Sequence, residues 1–183
     1  MTNDLKEAVR VLKKGGVVVF PTDTVWGIGA LASSKKGTTK LYKIKKREKN
    51  KPTAILVSDI KMASNYGVMD EAAKKLAIKH WPGALTLIVK AGNKKVGLRA
   101  PKHKLVLELI KELDEGVMAA SANFAGERAP KTRKAIDKRL ISMVDIIVKG
   151  EAGGEEASTV IDVSVSPWKL LREGPVEVAN SEW

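Results

Sequence analysis

Short apolar runs alternate along the chain with segments in which apolar residues recur at helical spacing. Leu5, Ala8 and Leu12 follow that spacing and predict a first helix. The run Val17–Phe20 is wholly apolar and rich in β-branched residues, which predicts a strand buried on both faces. The same reasoning predicts further helices at 38–44, 72–80, 105–113 and 131–143, and further strands at 54–57, 85–89, 96–99, 117–120, 146–148, 159–163 and 169–171.

This alternation of strands and helices predicts the α/β class. Because the last third of the chain is richer in strands, we expect one open, twisted, mixed β-sheet with helices packed on it. The length of 183 residues fits a single domain, 1–183. Sheets of this kind collect ligands where strands end, so the polar residues directly after each apolar run are the candidates for function.

The composition narrows the function classes. The chain carries 33 Lys and Arg against 21 Asp and Glu, a net charge of +12. This excess favours a polyanionic partner or substrate, such as RNA, DNA, a nucleotide or an anionic surface; a solvated basic surface is the alternative. The absence of cysteine excludes disulfides, thiolate catalysis and iron–sulfur clusters, and two histidines, His80 and His103, are too few for a multi-histidine metal site.

The sequence shows no membrane or export signal. No apolar run approaches the ~18 residues that span a bilayer. The N-terminus lacks the basic and apolar regions of a signal peptide. We therefore expect a soluble, cytoplasmic protein with no membrane partner.

Two segments after predicted elements carry candidate ligand-binding groups. Segment 21–29 holds two threonines, an aspartate and two glycines, where hydroxyls can bind a polar ligand and glycines let backbone approach it. Segment 43–52 is strongly basic. If the helix ends by about Lys45, then Lys45 and Arg47 share one face of an extended segment and can face one anion. An ordinary turn and a solvated charged face are the alternatives for the two segments.

The second half of the chain adds polar groups at strand ends. Ser121 and Asn123 follow a predicted strand and can present a hydroxyl and an amide to one ligand. Arg99 and Arg172 end two other strands, and Ser158 begins another. Because the planar guanidinium suits carboxylate and phosphate, the set predicts a pocket for a phosphate-bearing ligand and a small polar acid.

Seven short motifs make the chain similar to the YrdC-like family, the threonylcarbamoyl-AMP synthases. In order, they are PTDTVWG at 21–27, K-x-R at Lys45 and Arg47 with Pro52 before the next strand, WPGALT at 81–86, LRAP at 98–101, SANFAG at 121–126, STVID at 158–162 and LREG at 171–174. Each motif alone is weak, but their common order over nearly the whole chain is specific. The sequence departs from the family pattern at Trp26, Glu48, Leu56 and Lys95.

The resemblance implies the family's fold, an open twisted sheet around a large, concave, basic cavity, in the short single-domain form. It implies that L-threonine, bicarbonate and ATP give threonylcarbamoyl-AMP and pyrophosphate. Because ATP chemistry normally uses Mg²⁺, we expect this ion to accompany ATP, held largely by phosphates and water. Other proteins then transfer the threonylcarbamoyl group to tRNA. No protein-held metal site is expected, and whether tRNA touches this chain is left open.

The resemblance also implies three groups of site residues. The family's catalytic tetrad falls on Lys45, Arg47, Ser121 and Asn123; its threonine contacts fall on Thr24, Arg99, Ala119 and Ser158; and its ATP contacts fall on Arg47, Lys51, Ser121 and Arg172. The catalysis that these side chains support is electrostatic, since Ser121 does not lie in a G-x-S-x-G nucleophile motif.

Two other functions stay open from the sequence. The charge of +12 and the basic segments 43–51 and 128–139 fit a non-catalytic RNA-binding paralogue, although an aromatic content of 4% offers few groups for base stacking. A related carbamoyl-adenylating enzyme, such as the domain that serves hydrogenase maturation, is the second alternative.

Overall fold

The computed structural model describes residues 2–46 and 53–178. Within these ranges the helices are α1 (Asn3–Lys13), α2 (Lys35–Lys45), α3 (Ile60–Ala63), α4 (Glu71–His80), α5 (Lys104–Leu113) and α6 (Lys138–Ile141), with a 3₁₀ turn at Arg133–Ala135. The strands are β1 (Val18–Phe20), β2 (Gly27–Leu31), β3 (Ala54–Leu56), β4 (Leu85–Ala91), β5 (Lys94–Arg99), β6 (Val117–Ser121), β7 (Ile146–Ile147), β8 (Thr159–Asp162) and β9 (Lys169–Arg172). None of the helices in the described ranges combines the length and apolar character needed to cross a membrane.

All of these strands join one sheet, in the order β7-β1-β2-β6-β3-β5-β4-β8-β9. The pairs β1–β7, β3–β5 and β4–β8 are parallel and the remaining neighbours are antiparallel. The prediction of a mixed α/β sheet is therefore confirmed.

Helices cover one face of this sheet along its length and the other face only in part. On the fully covered face, α2 packs against β1 and β2, and α4 packs against the apolar side chains of β4 and β5. On the other face, α1 and α5 pack over β1, β6 and the end of β3, with Phe20, Val117 and Leu56 in the shared core. The part of that face formed by β3, β5, β4 and β8 is left open by α1 and α5.

Strand β2 is the main element that the periodicity did not predict. The predicted ligand loop 21–29 ends earlier than expected, because Gly27 and Gly29 lie in strand β2. A Cβ at Gly29 would lie 2.7 Å from Val117 Cγ1, and one at Gly27 would lie 3.1 Å from Phe20 Cε2. These glycines therefore leave room for the side chains of Phe20 and Val117 on the neighbouring strands. Those two side chains fill the space that larger residues at positions 27 and 29 would occupy.

The predicted helix at 131–143 is wrong over most of its length. Its first part is the 3₁₀ turn, after which Ile136 takes an extended conformation (φ −73°, ψ 129°). Asp137 then caps the short helix α6, its side chain accepting a hydrogen bond from the backbone N–H of Arg139. The capping carboxylate competes with a continuous helix, and Ile136 and Leu140 still reach the core from the broken segment.

Candidate functional site

The open part of the sheet forms the floor of a cavity of about 520 Å³. Most of the strand residues that line it follow the two-residue period of a pleated sheet, because alternate side chains point to the same face. They are Phe20 and Gly27, Ala54 and Leu56, Thr86 and Ile88, Gly97 and Arg99, Ala119 and Ser121, and Val160 and Arg172; Ser158 just before β8 also lines the cavity, as do Ala120 and Leu171 outside this period. The residues between them, such as Leu87 and Leu98, point into the core on the opposite face.

Arg99 lies at one end of this floor and is held from three directions. Its Nε donates to the carbonyl oxygen of Gly83 at 2.9 Å, its Nη1 to Thr24 Oγ1 at 3.1 Å, and its Nη2 to Asp23 Oδ1 at 2.6 Å. An arginine has five N–H donors, so two remain after these bonds. One is on Nη1 and one on Nη2, and the residue that carries them lines the cavity.

Thr24 is itself fixed by its neighbour Thr22. Thr22 Oγ1 donates to the carbonyl oxygen of Val25 at 2.7 Å and lies 2.9 Å from Thr24 Oγ1. Since the Thr22 proton is used on Val25, Thr24 Oγ1 donates to Thr22 and accepts from Arg99. One lone pair of Thr24 Oγ1 therefore remains after these bonds, and Thr24 lines the cavity.

Burial lowers the pKa of the Arg99 guanidinium, and the Asp23 carboxylate acts in the opposite direction. The guanidinium nevertheless stays cationic at neutral pH, because the ordinary pKa of arginine is so high. The Asp23–Arg99 ion pair is therefore a fixed charged element of this end of the cavity.

Arg172 and Ser158, at one end of the β8–β9 hairpin, form a wall of the cavity together with Thr86 of the neighbouring strand β4. Arg172 Nε donates to the Ser158 carbonyl oxygen at 2.8 Å, and Arg172 Nη2 donates to Ser158 Oγ at 3.0 Å. Ser158 Oγ also lies 2.7 Å from Thr86 Oγ1. These bonds orient a serine hydroxyl and a guanidinium toward one cavity, because antiparallel pairing of β8 and β9 brings Ser158, just before β8, beside Arg172 at the end of β9.

Lys45 and Asn123 lie beside the cavity and are not among its lining residues. Lys45 is buried, with only 4% of the residue exposed. Its ammonium donates to the carbonyl oxygens of Ser121 (2.5 Å) and Asn123. The Asn123 amide donates to the carbonyl oxygens of Phe124 (2.8 Å) and Glu127 (2.7 Å). Both side chains therefore shape the turn that carries Ser121.

Helix α2 ends at Lys45, as expected, and Lys46 follows in the left-handed region with φ 49°. The predicted pairing of Lys45 with Arg47 around one anion is not tested, because Arg47 lies outside the described residues. Lys51, a predicted ATP contact, also lies outside them. The role of Lys45 in contacting an anion stays a prediction, and the contacts shown for its ammonium are carbonyl oxygens.

The remaining predicted residues come together. Six of them line the single cavity described above: Thr24, Arg99, Ala119, Ser121, Ser158 and Arg172. Sequence reasoning missed Asp23 as the partner of Arg99 and Thr86 as the partner of Ser158. Both lie inside quoted motifs, PTDTVWG and WPGALT, so their presence was visible but their partners were not.

Loop 150–157 supports the Thr24 side of the site from outside. Gly153 N donates to Thr22 O at 2.8 Å and Gly154 N donates to Thr24 O at 2.9 Å. At Gly154 an added Cβ would lie 2.8 Å from Asp23 O and 2.9 Å from Thr24 Cα, both backbone atoms. This close approach therefore requires glycine.

We expect Gly154→Ala to lower the free energy of unfolding by about 1–3 kcal/mol, because the backbone of residues 23–24 must move. Gly153→Ala is the matched control, since its added Cβ would meet the same segment at an ordinary 3.4 Å. Urea denaturation measures both variants. Equal stability of the two variants would contradict the close-packing explanation.

No group of three or more acidic or histidine side chains converges as a metal site in residues 2–46 and 53–178. Asp23 is next in sequence to Thr24, which lines the cavity, but its carboxylate already forms an ion pair with Arg99. The described residues therefore do not offer a carboxylate cage for Mg²⁺.

Comparison with known proteins places the chain in one family. The Sua5/YciO/YrdC family model, described as "Telomere recombination", matches residues 10–174. Threonylcarbamoyl-AMP synthase of Bacillus subtilis (strain 168) is 35% identical to the chain, over 96% of the chain and 55% of that relative. A putative threonylcarbamoyl-AMP synthase of Methanocaldococcus jannaschii is 33% identical, over 94% of the chain and 88% of that relative.

A solved structure is similar over the same region. Sua5 of Pyrococcus abyssi, complexed with L-threonine, matches with a TM-score of 0.86 and 29% identity, covering 92% of this chain and 53% of that chain. The chain thus spans about half the length of the B. subtilis and P. abyssi proteins, and most of the length of the M. jannaschii protein.

Proposed function

The chain belongs to the Sua5/YciO/YrdC family, and we propose that it is a threonylcarbamoyl-AMP synthase. It converts L-threonine, bicarbonate and ATP into threonylcarbamoyl-AMP and pyrophosphate. One observation carries the proposal: hydroxyls and guanidinium groups from distant parts of the chain line a single cavity. Relatives named for this activity and the P. abyssi complex with L-threonine support it.

The Arg99 end of the cavity suits the carboxylate of an amino acid. Two N–H donors of Arg99 remain after its bonds to the protein, and they can bind a carboxylate in the plane of the guanidinium. The side chains of Thr24 and Ser158 add hydroxyls at this end, and Ala119 adds a small apolar surface. These groups are the threonine subsite of the proposed enzyme.

The other contacts suit phosphate. Arg172 and the Ser121 hydroxyl line the same cavity, and the family resemblance adds Arg47 and Lys51. These cations and hydroxyls make the cavity basic and hold ATP with its α-phosphate directed toward the amino acid. Any Mg²⁺ is held by the ATP phosphates and water, and no catalytic step is assigned to it.

The reaction proceeds in two steps. The threonine ammonium first releases a proton to water; the resulting amine then attacks bicarbonate and water leaves, giving an N-carboxylate. A carboxylate oxygen of this species then forms a bond to the α-phosphorus of ATP, and the bond from that phosphorus to the bridging oxygen breaks, releasing pyrophosphate. Both reactants are anions, so the fixed cations lower the barrier by reducing their repulsion and by aligning them.

Of the predicted catalytic tetrad, Ser121 lines the cavity and touches the reactants, and the described contacts of Lys45 and Asn123 hold the turn that carries it; contact of Lys45 and Arg47 with phosphate stays a prediction. That turn is held by the hydrogen bonds of the Lys45 ammonium and the Asn123 amide. The product then passes to other proteins, which transfer the threonylcarbamoyl group to tRNA. Because another enzyme must still transfer the threonylcarbamoyl group, we expect threonylcarbamoyl-AMP to be an intermediate and not an end product.

The test is pyrophosphate release by the purified chain with ATP, threonine and bicarbonate. We expect release only when all three are present, with threonylcarbamoyl-AMP detected by mass spectrometry. Leaving out threonine or bicarbonate in turn is the control. Salt-sensitive RNA binding without any threonine-dependent pyrophosphate would instead support the non-catalytic paralogue.

A further inference from the structure

Asp23 is the acidic partner of the arginine in the amino-acid subsite. Its Oδ1 lies 2.6 Å from Arg99 Nη2, and the two side chains are only 12% and 8% exposed. Arg99 lines the cavity, whereas Asp23 is not among the lining residues. A ligand at this end therefore meets a guanidinium whose positive charge is already balanced from behind.

This arrangement affects different ligands in different ways. A phosphate group next to Arg99 is attracted by the guanidinium and repelled by the carboxylate behind it, so the net attraction is small. A zwitterionic amino acid presents its carboxylate to the Arg99 donors and carries a positive ammonium group on the adjacent carbon. The ammonium is attracted by the Asp23 charge, which offsets the repulsion of the carboxylate.

Binding of two different substrates in one cavity requires that the Arg99 end distinguish an amino acid from phosphate. Under the proposed function, a space of about 520 Å³ receives both a triphosphate and an amino acid. A buried arginine without a balancing charge is a strong phosphate-binding group. At the amino-acid end, such a group would hold free phosphate or misplaced ATP and exclude threonine.

We propose that Asp23 sets the ligand preference of the Arg99 end, so that this end accepts a zwitterionic amino acid and rejects phosphate. This inference rests on the proposed function, because it assigns the amino acid to that end. Asp23 is a specificity-determining residue that acts through Arg99 and does not touch the substrate.

The test compares threonine binding by the wild-type chain and by Asp23→Asn, using calorimetry with and without inorganic phosphate at constant ionic strength. In the wild type, we expect phosphate to compete only weakly. In Asp23→Asn the inhibition constant of phosphate against threonine binding should fall by about tenfold. Phosphate then binds more tightly, because the negative charge that balances Arg99 is gone. Unchanged phosphate competition would overturn the inference.

Asp162→Asn is the matched control. Asp162 pairs with Lys95 at 2.8 Å, lies on the same face of the sheet and is outside the cavity lining. Its loss should leave phosphate competition at the threonine site unchanged; a tenfold effect in this variant too would show a general charge effect and overturn the assignment to Asp23. Absence of threonine binding in the wild type would instead refute the proposed function.

A second measurement covers the case in which Asp23→Asn does not fold. A balanced subsite predicts that the wild-type dissociation constant for threonine changes less than about twofold between low and high potassium chloride, because the zwitterion has no net charge and binds to the Arg99–Asp23 pair, which has none either. A steep loss of threonine affinity with salt would overturn the inference without any variant.

Discussion

Arg99→Ala is expected to lower the free energy of unfolding by about 3–5 kcal/mol, because it leaves the Asp23 carboxylate largely buried without its cation. Under the proposed function it should also reduce threonine-dependent pyrophosphate release by about 10²-fold or more, since the threonine carboxylate would lose the guanidinium that binds it. Urea denaturation and the pyrophosphate assay measure the two effects on the same preparation.

The double variant Asp23→Asn/Arg99→Met separates stability from function. Replacing both members of a buried ion pair by neutral groups of similar size is often nearly neutral for stability. We therefore expect the double variant to recover most of the lost stability and none of the activity. If Arg99→Ala is as stable as the wild type, the ion pair contributes nothing to the stability of the fold.

Lys45→Met should reduce both the stability and the activity of the protein, for a different physical reason. The buried ammonium is the donor to the Ser121 and Asn123 carbonyl oxygens, and methionine keeps the apolar stem but not the donor. We expect unfolding to become easier by about 2–3 kcal/mol and pyrophosphate release to fall by about 10²-fold, because the turn that presents Ser121 is no longer fixed.

Lys43→Met on the same helix is the control, since Lys43 is exposed and should tolerate the change. The stability readout also distinguishes the two possible roles of Lys45. If its ammonium contacts phosphate instead of the turn, Lys45→Met will lose activity while keeping the wild-type free energy of unfolding.

Several features were accessible from the sequence because they depend on neighbours along the chain. The apolar run at Val17–Phe20 and the helical spacing of Leu5, Ala8 and Leu12 gave elements that the structure contains. The order of the seven motifs pointed to the family that the comparisons confirm. Local pattern failed at Gly27–Leu31, where small residues are explained only by the bulky side chains of the neighbouring strands.

The amino-acid sequence by itself determined the class of fold, the family and the types of side chain available for chemistry, because these follow from local periodicity and motif order. Only the tertiary structure decided which groups meet. Asp23 and Arg99 are 76 positions apart, and Lys45 and Asn123 are 78 apart. Their pairing depends on strand order and on which face of the sheet each residue occupies, and no spacing along the chain encodes either.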